Sequence, residues 1–392
     1  MSDKKSFRRD DGERQKFVFL AHWVEISNYW LWFSKSWLHD DPLRMRLLIP
    51  FWPFAAIMSV FYFVGKKAYN VVDRFNFNGQ LRGETWLIRN FAWHFMIKSW
   101  QSKIRNRILK AVLSAQENGF QVIGLGALTK AEWLTEGGKW IVDKLGDKLR
   151  VPIVHGDTLT AAAVYRRVLE LQHLYHLTEN PSVFITGGTS KIGRAVALAL
   201  VKSGVKVYLY TQSSERFAEI ASEATQQDLL VHATSFKDGA SCSLWITGKA
   251  ESGVGKKIIA NLPQGAVVLN FSVPDPLTPS LLRQRRDVHH FDGGLIAYDK
   301  QRTGLFFTMR LTRGITYACH AGTMVHAYLK WTHHEVGPVD ICQMDVVWEA
   351  ALDLGMTLPR FTSHLKDVVL VGVESSLTRR GCIVNVAQDR VS

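Results

Sequence analysis

The sequence predicts an α/β protein whose centre is a doubly wound parallel sheet. From about residue 120 onwards, apolar strand-like runs alternate with helical runs, and a glycine loop joins one such strand to a helix. Further buried strands follow at Ser243–Gly248 and Ala266–Pro276. Alternation of this kind indicates parallel strands with helices on both faces of the sheet.

The length indicates several packed units, since 392 residues exceed one ordinary hydrophobic core. A hydrophobic content of 47% excludes global disorder. We expect four regions along the chain. They are an N-terminal helical, membrane-associating region (1–115), an α/β substrate-side subdomain (116–178), an NADP-binding domain (179–304) and a C-terminal helical catalytic segment (305–392).

The first region contains an apolar segment with the features of a membrane-inserting element. Residues 47–65 carry no charge, aromatic residues crowd around them, and Lys66 and Lys67 follow directly. The segment is close to the lower length limit for a spanning helix, and Pro50 and Pro53 would kink its first turns. We therefore expect shallow insertion at the membrane interface, with a buried core helix as the alternative.

Charge and cysteine content narrow the partners and the compartment. A net charge of +13 favours anionic partners such as anionic lipid, an acidic carrier protein or a phosphorylated cofactor. No nucleic-acid-binding motif stands out, so nucleic acid is not an expected partner. Four widely spaced cysteines without a CxxC pair indicate reduced thiols. The protein is predicted to be membrane-associated and to face the cytoplasm.

Four stretches define the order of elements before the glycine loop and around it. Residues 86–114 are expected to be helical. Residues 120–133 predict a strand, a glycine turn and a helix start, and residues 151–171 repeat this pattern with Asp157 or Thr158 as helix cap. Residues 181–217 then predict one complete βαβ unit.

The stretch "ITGGTSKIG" is the glycine loop of this βαβ unit. Gly187 permits a tight turn after the strand, and Gly193 permits close packing at the helix start. Amides at a helix N-terminus can bind a pyrophosphate, so we predict a Rossmann-like dinucleotide site, with a purely structural glycine turn as the alternative. The predicted cofactor-binding residues are Thr186, Gly187, Gly188, Thr189, Ser190, Lys191, Ile192, Gly193, Thr211, Ser213 and Arg216.

The end of the second strand indicates which dinucleotide is bound. NAD sites usually place an acidic residue there, whereas this chain has Thr211 and Gln212, followed by hydroxyl groups and Arg216. Lys191 and Arg194 add positive charge near the loop. A 2′-phosphate suits these groups, so NADPH is the expected cofactor. The Tyr-x-x-x-Lys pair of short-chain dehydrogenases does not occur downstream of the loop.

The stretch "GITYACHAGTMVHAYLKWTHHE" contains the candidate catalytic residues Cys319, His320 and His326. The spacing of its cysteine and histidines matches no common zinc pattern, so no metal site is predicted. On a helix, His326 lies about 10 Å along the axis from Cys319, and His320 points to another face. Cys319 lies near the helix start, which should lower the pKa of its thiol and favour a role as nucleophile. The alternative is a small cysteine buried in the hydrophobic core.

Several of these motifs resemble known families. "VFITGGTSKIGRAVALAL", "YACHAGTMVHAYLKWTHHEVG" and "MDVVWEAALDLG" are similar to the C-terminal domain of the plant eceriferum wax-alkane proteins. "GLGALTK", "HGDTLTAA", "HFDGGLI" and "YACHAG", in the same order, resemble cyanobacterial long-chain acyl-ACP reductases more distantly.

The reductase resemblance implies a function. It implies that Cys319 is an acylated nucleophile and that NADPH reduces a long-chain acyl-CoA or acyl-ACP to a fatty aldehyde through this acyl-enzyme. Gly322 stands where the reductases carry a glutamate, which leaves the acid–base group open. The histidine-rich region of the plant proteins has no counterpart here, so the resemblance implies that the aldehyde is converted further by another protein. We therefore expect an aldehyde-consuming partner, and membrane lipid as a further partner.

Two other functions remain open from the sequence. The first is a non-catalytic, nucleotide-binding membrane subunit of a wax- or alkane-forming complex. The second is a membrane-bound dehydrogenase of a lipid alcohol or sterol, against which the missing Tyr-x-x-x-Lys pair counts.

Overall fold

The structure of the chain, a computed structural model, describes residues 15–23, 52–77, 79–179, 181–248, 253–299, 311, 314–371 and 382–384. Within these residues, two sheets of five and six strands form the centres of two packed layers. Helices cover both sheets, and the helix Asp157–Leu174 packs both on the C-terminal helices and on the helix Lys191–Lys202 of the second layer. The mixed α/β class with parallel sheets is confirmed.

The first sheet combines strands from both sides of the predicted boundary at residue 115. Its order is β2-β3-β1-β4-β5, with β2 antiparallel to β3 and the other neighbours parallel. The strands are β1 (Gln15–Trp23), β2 (Tyr69–Phe77), β3 (Leu81–Phe91), β4 (Val122–Leu125) and β5 (Ile153–Val154). Its helices are α1 (Trp52–Val64), α2 (Ala92–Phe95), α3 (Lys98–Glu117), α4 (Glu132–Thr135), α5 (Lys139–Leu145) and α6 (Asp157–Leu174).

The N-terminal region was expected to be helical, and this is wrong for β1, β2 and β3. The helix expected over residues 86–114 is likewise wrong for residues 86–91, which belong to β3. Trp86, Ile88 and Phe91 are buried. Their apolar spacing is compatible with a helix or with a strand covered on both faces. Pairing of β3 with β1 and β2 satisfies its backbone along its whole length, which a local reading of the sequence cannot reveal.

Helix α1 is the described part of the predicted membrane-inserting segment. Its 13 residues span about 20 Å, and Phe54, Ile57, Phe61 and Val64 expose more than half of their surface. Among the residues described, every helix is too short or too polar to cross a bilayer. Membrane association, with the protein facing the cytoplasm, stays a prediction, and residues 47–51 lie outside the described residues.

The second sheet has the strand order of dinucleotide-binding folds. All its neighbours are parallel, in the order β8-β7-β6-β9-β10-β11, which is the 3-2-1-4-5-6 order of a Rossmann sheet. Its strands are β6 (Ser182–Thr186), β7 (Lys206–Tyr210), β8 (Leu230–Ala233), β9 (Leu244–Thr247), β10 (Val267–Asn270) and β11 (His289–Asp292). Its helices are α7 (Lys191–Lys202), α8 (Ser214–Glu223), α9 (Val254–Asn261) and α10 (Pro279–Leu282). The predicted βαβ unit and the two later strands are confirmed.

The C-terminal segment contains strands as well as the predicted helices. Its strands are β12 (Leu295–Ala297), β13 (Ile315–Tyr317), β14 (Thr362–Ser363), β15 (Lys366–Asp367), β16 (Val369–Val371) and β17 (Cys382–Val384), and its helices are α11 (Ala318–Tyr328) and α12 (Gln343–Asp353). Both helices pack on α6, and α6 also packs on α7 of the second layer. Residues at the start of α11 therefore lie against the first sheet and α6.

Two glycines allow α11 to approach its neighbours closely. A side chain at Gly124 on β4 would lie 2.2 Å from the Thr323 hydroxyl. A side chain at Gly156, which has a φ of +65°, would lie 2.1 Å from the Cys319 carbonyl oxygen. Since such distances are impossible, only glycine permits this packing.

We expect Gly156→Ala to lower the free energy of unfolding by about 2–4 kcal/mol. About 1 kcal/mol comes from the left-handed backbone, and the remainder comes from the displacement of α11. Gly119→Ala is the matched control, because Gly119 has a φ of +75° and open space around it, so only the backbone cost applies. Urea unfolding of both variants measures the difference, and equal losses would contradict the close approach of α11.

Candidate active site

The glycine loop connects β6 to α7 with the geometry that its sequence predicts. Gly187 has a φ of +71°, and the Ser190 hydroxyl accepts a hydrogen bond from the Gly193 amide at 3.1 Å. A side chain at Gly193 would lie 2.3 Å from the Gly187 carbonyl oxygen, so the first turn of α7 lies directly against the loop. The amides at the start of α7 therefore remain close to the carboxyl edge of the sheet.

A cleft of about 220 Å³ lies beside this loop. No carboxylate lines it, and the Arg216 side chain is exposed and forms no ion pair with another described residue. The lining residues are Gly187, Thr189, Tyr210, Thr211, Gln212, Ser213 and Arg216. Five predicted cofactor residues thus surround one cleft, while Thr186, Gly188, Ser190, Ile192 and Gly193 form the adjoining strand end and helix start.

The two other basic residues near the loop point away from this cleft. The Lys191 ammonium lies 3.6 Å from an Asp157 carboxylate oxygen. Arg194 forms an ion pair with Glu223 and donates a hydrogen bond to the Val339 carbonyl. Lys191 therefore contacts the residues around Cys319 rather than the position expected for a 2′-phosphate.

Cys319 occupies the first turn of α11 next to a buried ion pair. The Lys130 ammonium donates hydrogen bonds to the Asp157 carboxylate at 2.5 Å and to the His155 carbonyl at 2.8 Å. It also contacts the Cys319 thiol, which is half-buried. Lys130, Asp157, Lys191 and Cys319 form one group, which we call the Cys319 cluster.

Charges within the Cys319 cluster oppose the effect of burial. Burial acts to raise the pKa of Asp157, but Lys130, His155 and Lys191 hold it at about 2, so the carboxylate is ionised at neutral pH. Burial acts to lower the pKa of Lys130, but Asp157 and the other acidic neighbours raise it above the usual value. The pair is therefore ionic throughout the physiological range.

The pKa of Cys319 shifts in the opposite direction from the prediction. Burial raises the pKa of the thiol, and this effect exceeds the opposing contribution of Lys130, while Asp157 raises the pKa further. The start of a helix was expected to lower the pKa, but the desolvated position of the sulfur dominates. At neutral pH, Cys319 is mostly a thiol.

Glu335 and His155 border the Cys319 cluster at the start of α6. The Glu335 carboxylate accepts hydrogen bonds from the Thr158 hydroxyl at 2.6 Å and from the Thr158 amide at 3.2 Å. The same oxygen lies 3.1 Å from His155 Nδ1. A carboxylate at a helix N-terminus is favourable, so Glu335 fixes the start of α6 and with it the position of Asp157.

His320 and His326, the other two candidate catalytic residues, have neighbours outside the Cys319 cluster. The His320 ring packs edge-on against Phe19, and its Nδ1 atom lies 3.1 Å from the Thr316 hydroxyl. His326 Nε2 lies 3.0 Å from the His333 carbonyl oxygen. Burial lowers the pKa of His320 to about 3 and that of His326 to about 4, so both rings are neutral at physiological pH.

Sequence reasoning missed Lys130 and Glu335, and it considered Asp157 only as a helix cap. The available signal was that "GLGALTK", "HGDTLTAA" and "YACHAG" each combine a glycine with a reactive side chain no more than four residues away. In the structure these three stretches meet. The departure at Gly322 also has a physical reason, because a side chain there would lie 3.0 Å from the Gly156 Cα atom.

Comparisons with known proteins agree with the resemblance to plant proteins. Residues 183–358 match the family model described as CER1-like, C-terminal domain. The chain is 35% identical to the very-long-chain aldehyde decarbonylase GL1-1 of Oryza sativa, over 88% of this chain and 53% of that protein. It is 28% identical to the very-long-chain aldehyde decarbonylase CER1 of Arabidopsis thaliana, over 79% of this chain and 46% of that protein.

These matches identify the chain as similar to the C-terminal part of the plant eceriferum proteins, so the predicted resemblance is confirmed. The chain spans about half the length of the curated relatives it matches. Among solved structures, a proposed malic enzyme (malate oxidoreductase) matches with a TM-score of 0.35 and 15% identity, over 71% of this chain and 65% of that one.

The names of the relatives overturn the predicted reaction. The relatives are named very-long-chain aldehyde decarbonylases, so an aldehyde is their substrate by name, whereas an acyl reductase makes an aldehyde as its product. The prediction of an NADPH-dependent acyl-CoA or acyl-ACP reductase with a Cys319 acyl-enzyme is therefore wrong. The error arose because the motifs around Cys319 were given the chemistry of the more distant family.

Alkylation of Cys319 by iodoacetamide tests the electrostatics of the Cys319 cluster. The rate should increase with pH beyond the range of an ordinary thiol, because burial raises the pKa. Lys130→Met removes the opposing positive charge, so we expect about tenfold slower alkylation at neutral pH. Asp157→Asn removes a negative charge that raises the pKa, so we expect faster alkylation.

Peptide mass spectrometry measures the rate at Cys319, with the exposed Cys342 in the same molecule as the internal reference. Lys148→Met, at an exposed lysine outside the cluster, is the control variant. General loosening of the fold would accelerate alkylation in both cluster variants. Changes of the same sign in Lys130→Met and Asp157→Asn would therefore contradict the electrostatic account.

Proposed function

We propose that this chain acts on very-long-chain aldehydes as the NADP(H)-binding part of an aldehyde decarbonylase, and that Cys319 binds the aldehyde carbonyl. The observation that supports this most directly is the contact of Cys319 with Lys130, in a cluster that also includes Lys191 from the glycine-loop helix. Similarity to the rice decarbonylase over 88% of the chain supports the substrate class.

The cleft beside the glycine loop fits the predicted dinucleotide. Its amides at the start of α7 suit a pyrophosphate, and Ser213 and Arg216 suit the 2′-phosphate of NADP(H). Helix α7, which follows the glycine loop, also carries Lys191, whose ammonium contacts Asp157 of the Cys319 cluster. When bound, the nicotinamide supplies or accepts hydride, and the protein residues discussed next act on the aldehyde.

Cys319 and Lys130 can together bind an aldehyde carbonyl without any oxidation or reduction. The Cys319 sulfur forms a bond to the carbonyl carbon as the π bond of the C=O group opens. The carbonyl oxygen becomes a hydroxyl group, the thiol loses its proton, and the product is a thiohemiacetal. Lys130 donates a proton to the carbonyl oxygen and regains one from the thiol. The Asp157 carboxylate keeps the Lys130 ammonium in place throughout.

The surroundings of Cys319 also suit a long alkyl chain. Cys319 packs on a cluster of apolar and aromatic side chains that includes Phe19, Trp23, Tyr62 and Phe91. Tyr62 belongs to α1, on which Phe54, Ile57 and Phe61 are exposed. The reactive thiol is therefore joined through apolar contacts to the apolar surface of α1, as a substrate with a long hydrocarbon tail requires.

We expect Arg216→Ala to weaken NADPH binding by about tenfold or more and to leave NADH binding nearly unchanged. The lost interaction is a charge-assisted contact with the 2′-phosphate, which NADH lacks. Titration of nicotinamide fluorescence measures both affinities. Lys202→Ala, at an exposed lysine at the far end of α7, is the control. Equal weakening of both dinucleotides would contradict the assignment of Arg216.

A saturated long-chain aldehyde should protect Cys319 from iodoacetamide, because the thiohemiacetal removes the free thiol. The alcohol of the same chain length, presented in the same detergent micelles, occupies the apolar cluster without forming this bond. We expect at least severalfold slower alkylation with the aldehyde only, and no change at Cys342. Equal protection by alcohol and aldehyde, or none by either, would refute the role of Cys319.

A further inference from the structure

A second group of potential ligands lies at the carboxyl edge of the Rossmann sheet, apart from the Cys319 cluster. Asp275 follows β10, His290 lies on the edge strand β11, and His364 lies in the turn between β14 and β15. Their ligand atoms all lie within 4.8 Å of one another. One Asp275 oxygen, Oδ2, lies 2.9 Å from His290 Nε2 and 3.6 Å from His364 Nδ1.

The contact between Asp275 and His290 is not an ordinary hydrogen bond. His290 exposes 1% of its side chain, and its Nε2 atom and Asp275 Oδ2 are both buried without a hydrogen-bond partner of acceptable geometry. Two buried polar atoms 2.9 Å apart without a hydrogen bond are costly, since each has lost its hydration. The cost disappears if both atoms direct lone pairs at a cation between them.

The other side of His290 has the support typical of a metal ligand. Its Nδ1 atom lies 2.9 Å from the Ser363 hydroxyl. A histidine that binds a metal through one nitrogen usually has a hydrogen bond at the other, which fixes the tautomer and the ring orientation. Ser363 can therefore keep Nε2 available as the ligand atom.

His364 is fixed in an unusual backbone conformation beside His290. His364 and Leu365 have φ values of +50° and +64°. Both amides donate hydrogen bonds to the Asp292 carboxylate, at 3.0 and 2.7 Å. This turn stacks the His364 ring on His290, with ring centres 4.7 Å apart. Asp292 thus fixes the backbone of the third ligand and places a second carboxylate near His364.

We propose that Asp275, His290 and His364 bind one divalent transition-metal ion of the Zn²⁺ type. Ligand atoms at about 2.1 Å from such an ion lie about 3.4 Å apart in a tetrahedron, a value between the 2.9 and 3.6 Å that separate Asp275 Oδ2 from the two histidines. Two imidazoles and one carboxylate are a donor set that suits Zn²⁺, Co²⁺, Fe²⁺ and Ni²⁺. The ion would attach the β14–β15 turn to the edge strand of the Rossmann sheet. This proposal is independent of the proposed aldehyde chemistry.

Co²⁺ binding to the full chain tests this site after removal of metals with EDTA. Serine at Cys319 and Cys342 provides a background in which these two thiols cannot bind the ion. We expect one equivalent of Co²⁺ with a visible spectrum of nitrogen and oxygen ligands, and displacement of Co²⁺ by Zn²⁺. His290→Ala and Asp275→Asn should each weaken Co²⁺ binding by about 100-fold or more. Loss of a residue that only supports a ligand costs about 10–100-fold in affinity, and loss of the ligand itself should cost at least as much.

Two further variants separate loss of a ligand from loss of the fold. His364→Gln removes one ligand at a turn outside the Rossmann sheet, so it should weaken Co²⁺ binding strongly while the sheet stays intact. His289→Ala is the matched control, because this neighbour on β11 packs against Tyr175 and should bind Co²⁺ like the parent. Circular dichroism verifies that each variant is folded. No binding by the parent protein, or equal binding by the parent and folded His364→Gln, would overturn the proposal.

Discussion

The buried ion pair between Lys130 and Asp157 is the interaction on which the candidate active site depends. Lys130 follows β4, and Asp157 begins α6, so the pair connects two elements of the first layer. Lys191 contacts the same carboxylate from the second layer, and Cys319 contacts the same ammonium from α11. Burial of charges is costly unless each has a partner, so these four residues constrain one another's positions.

Close packing of the backbone around α11 makes this arrangement possible. Gly124 and Gly156 allow α11 to lie against β4 and the start of α6, which brings the Cys319 sulfur to the ion pair. Any larger residue at either glycine would move the sulfur away from Lys130. The chemistry proposed for Cys319 therefore depends on residues that take no part in the reaction.

Local patterns in the sequence were sufficient for the second sheet but not for the first. The glycine loop, the strand before it and the helix after it follow one another in the chain, so Gly187 and Gly193 could be interpreted directly. Strand β1 instead pairs with β3 and β4, and its apolar run fits several structures equally well. Only long-range pairing decides between them, and no local signal reports it.

The same distinction applies to the side-chain clusters. Cys319 was conspicuous in the sequence, whereas Lys130 and Asp157 acquire their meaning from contact with it. Asp275, His290 and His364 come from separate segments with no diagnostic spacing, so the sequence could not indicate that they meet. Their proximity results from the edge position of β11 and from the left-handed turn at His364.

The central place of β1 in the first sheet has a consequence for biosynthesis. This strand leaves the ribosome long before β3 and β4, the two strands between which it fits. Phe17, Val18 and Leu20 are fully buried in the finished protein, but in the nascent chain they stay unpaired until β3 and then β4 have been made, about 65 and 105 residues later. An unpaired apolar strand that is exposed to solvent promotes aggregation with other chains, so production of the folded protein should depend on chaperones that cover this strand.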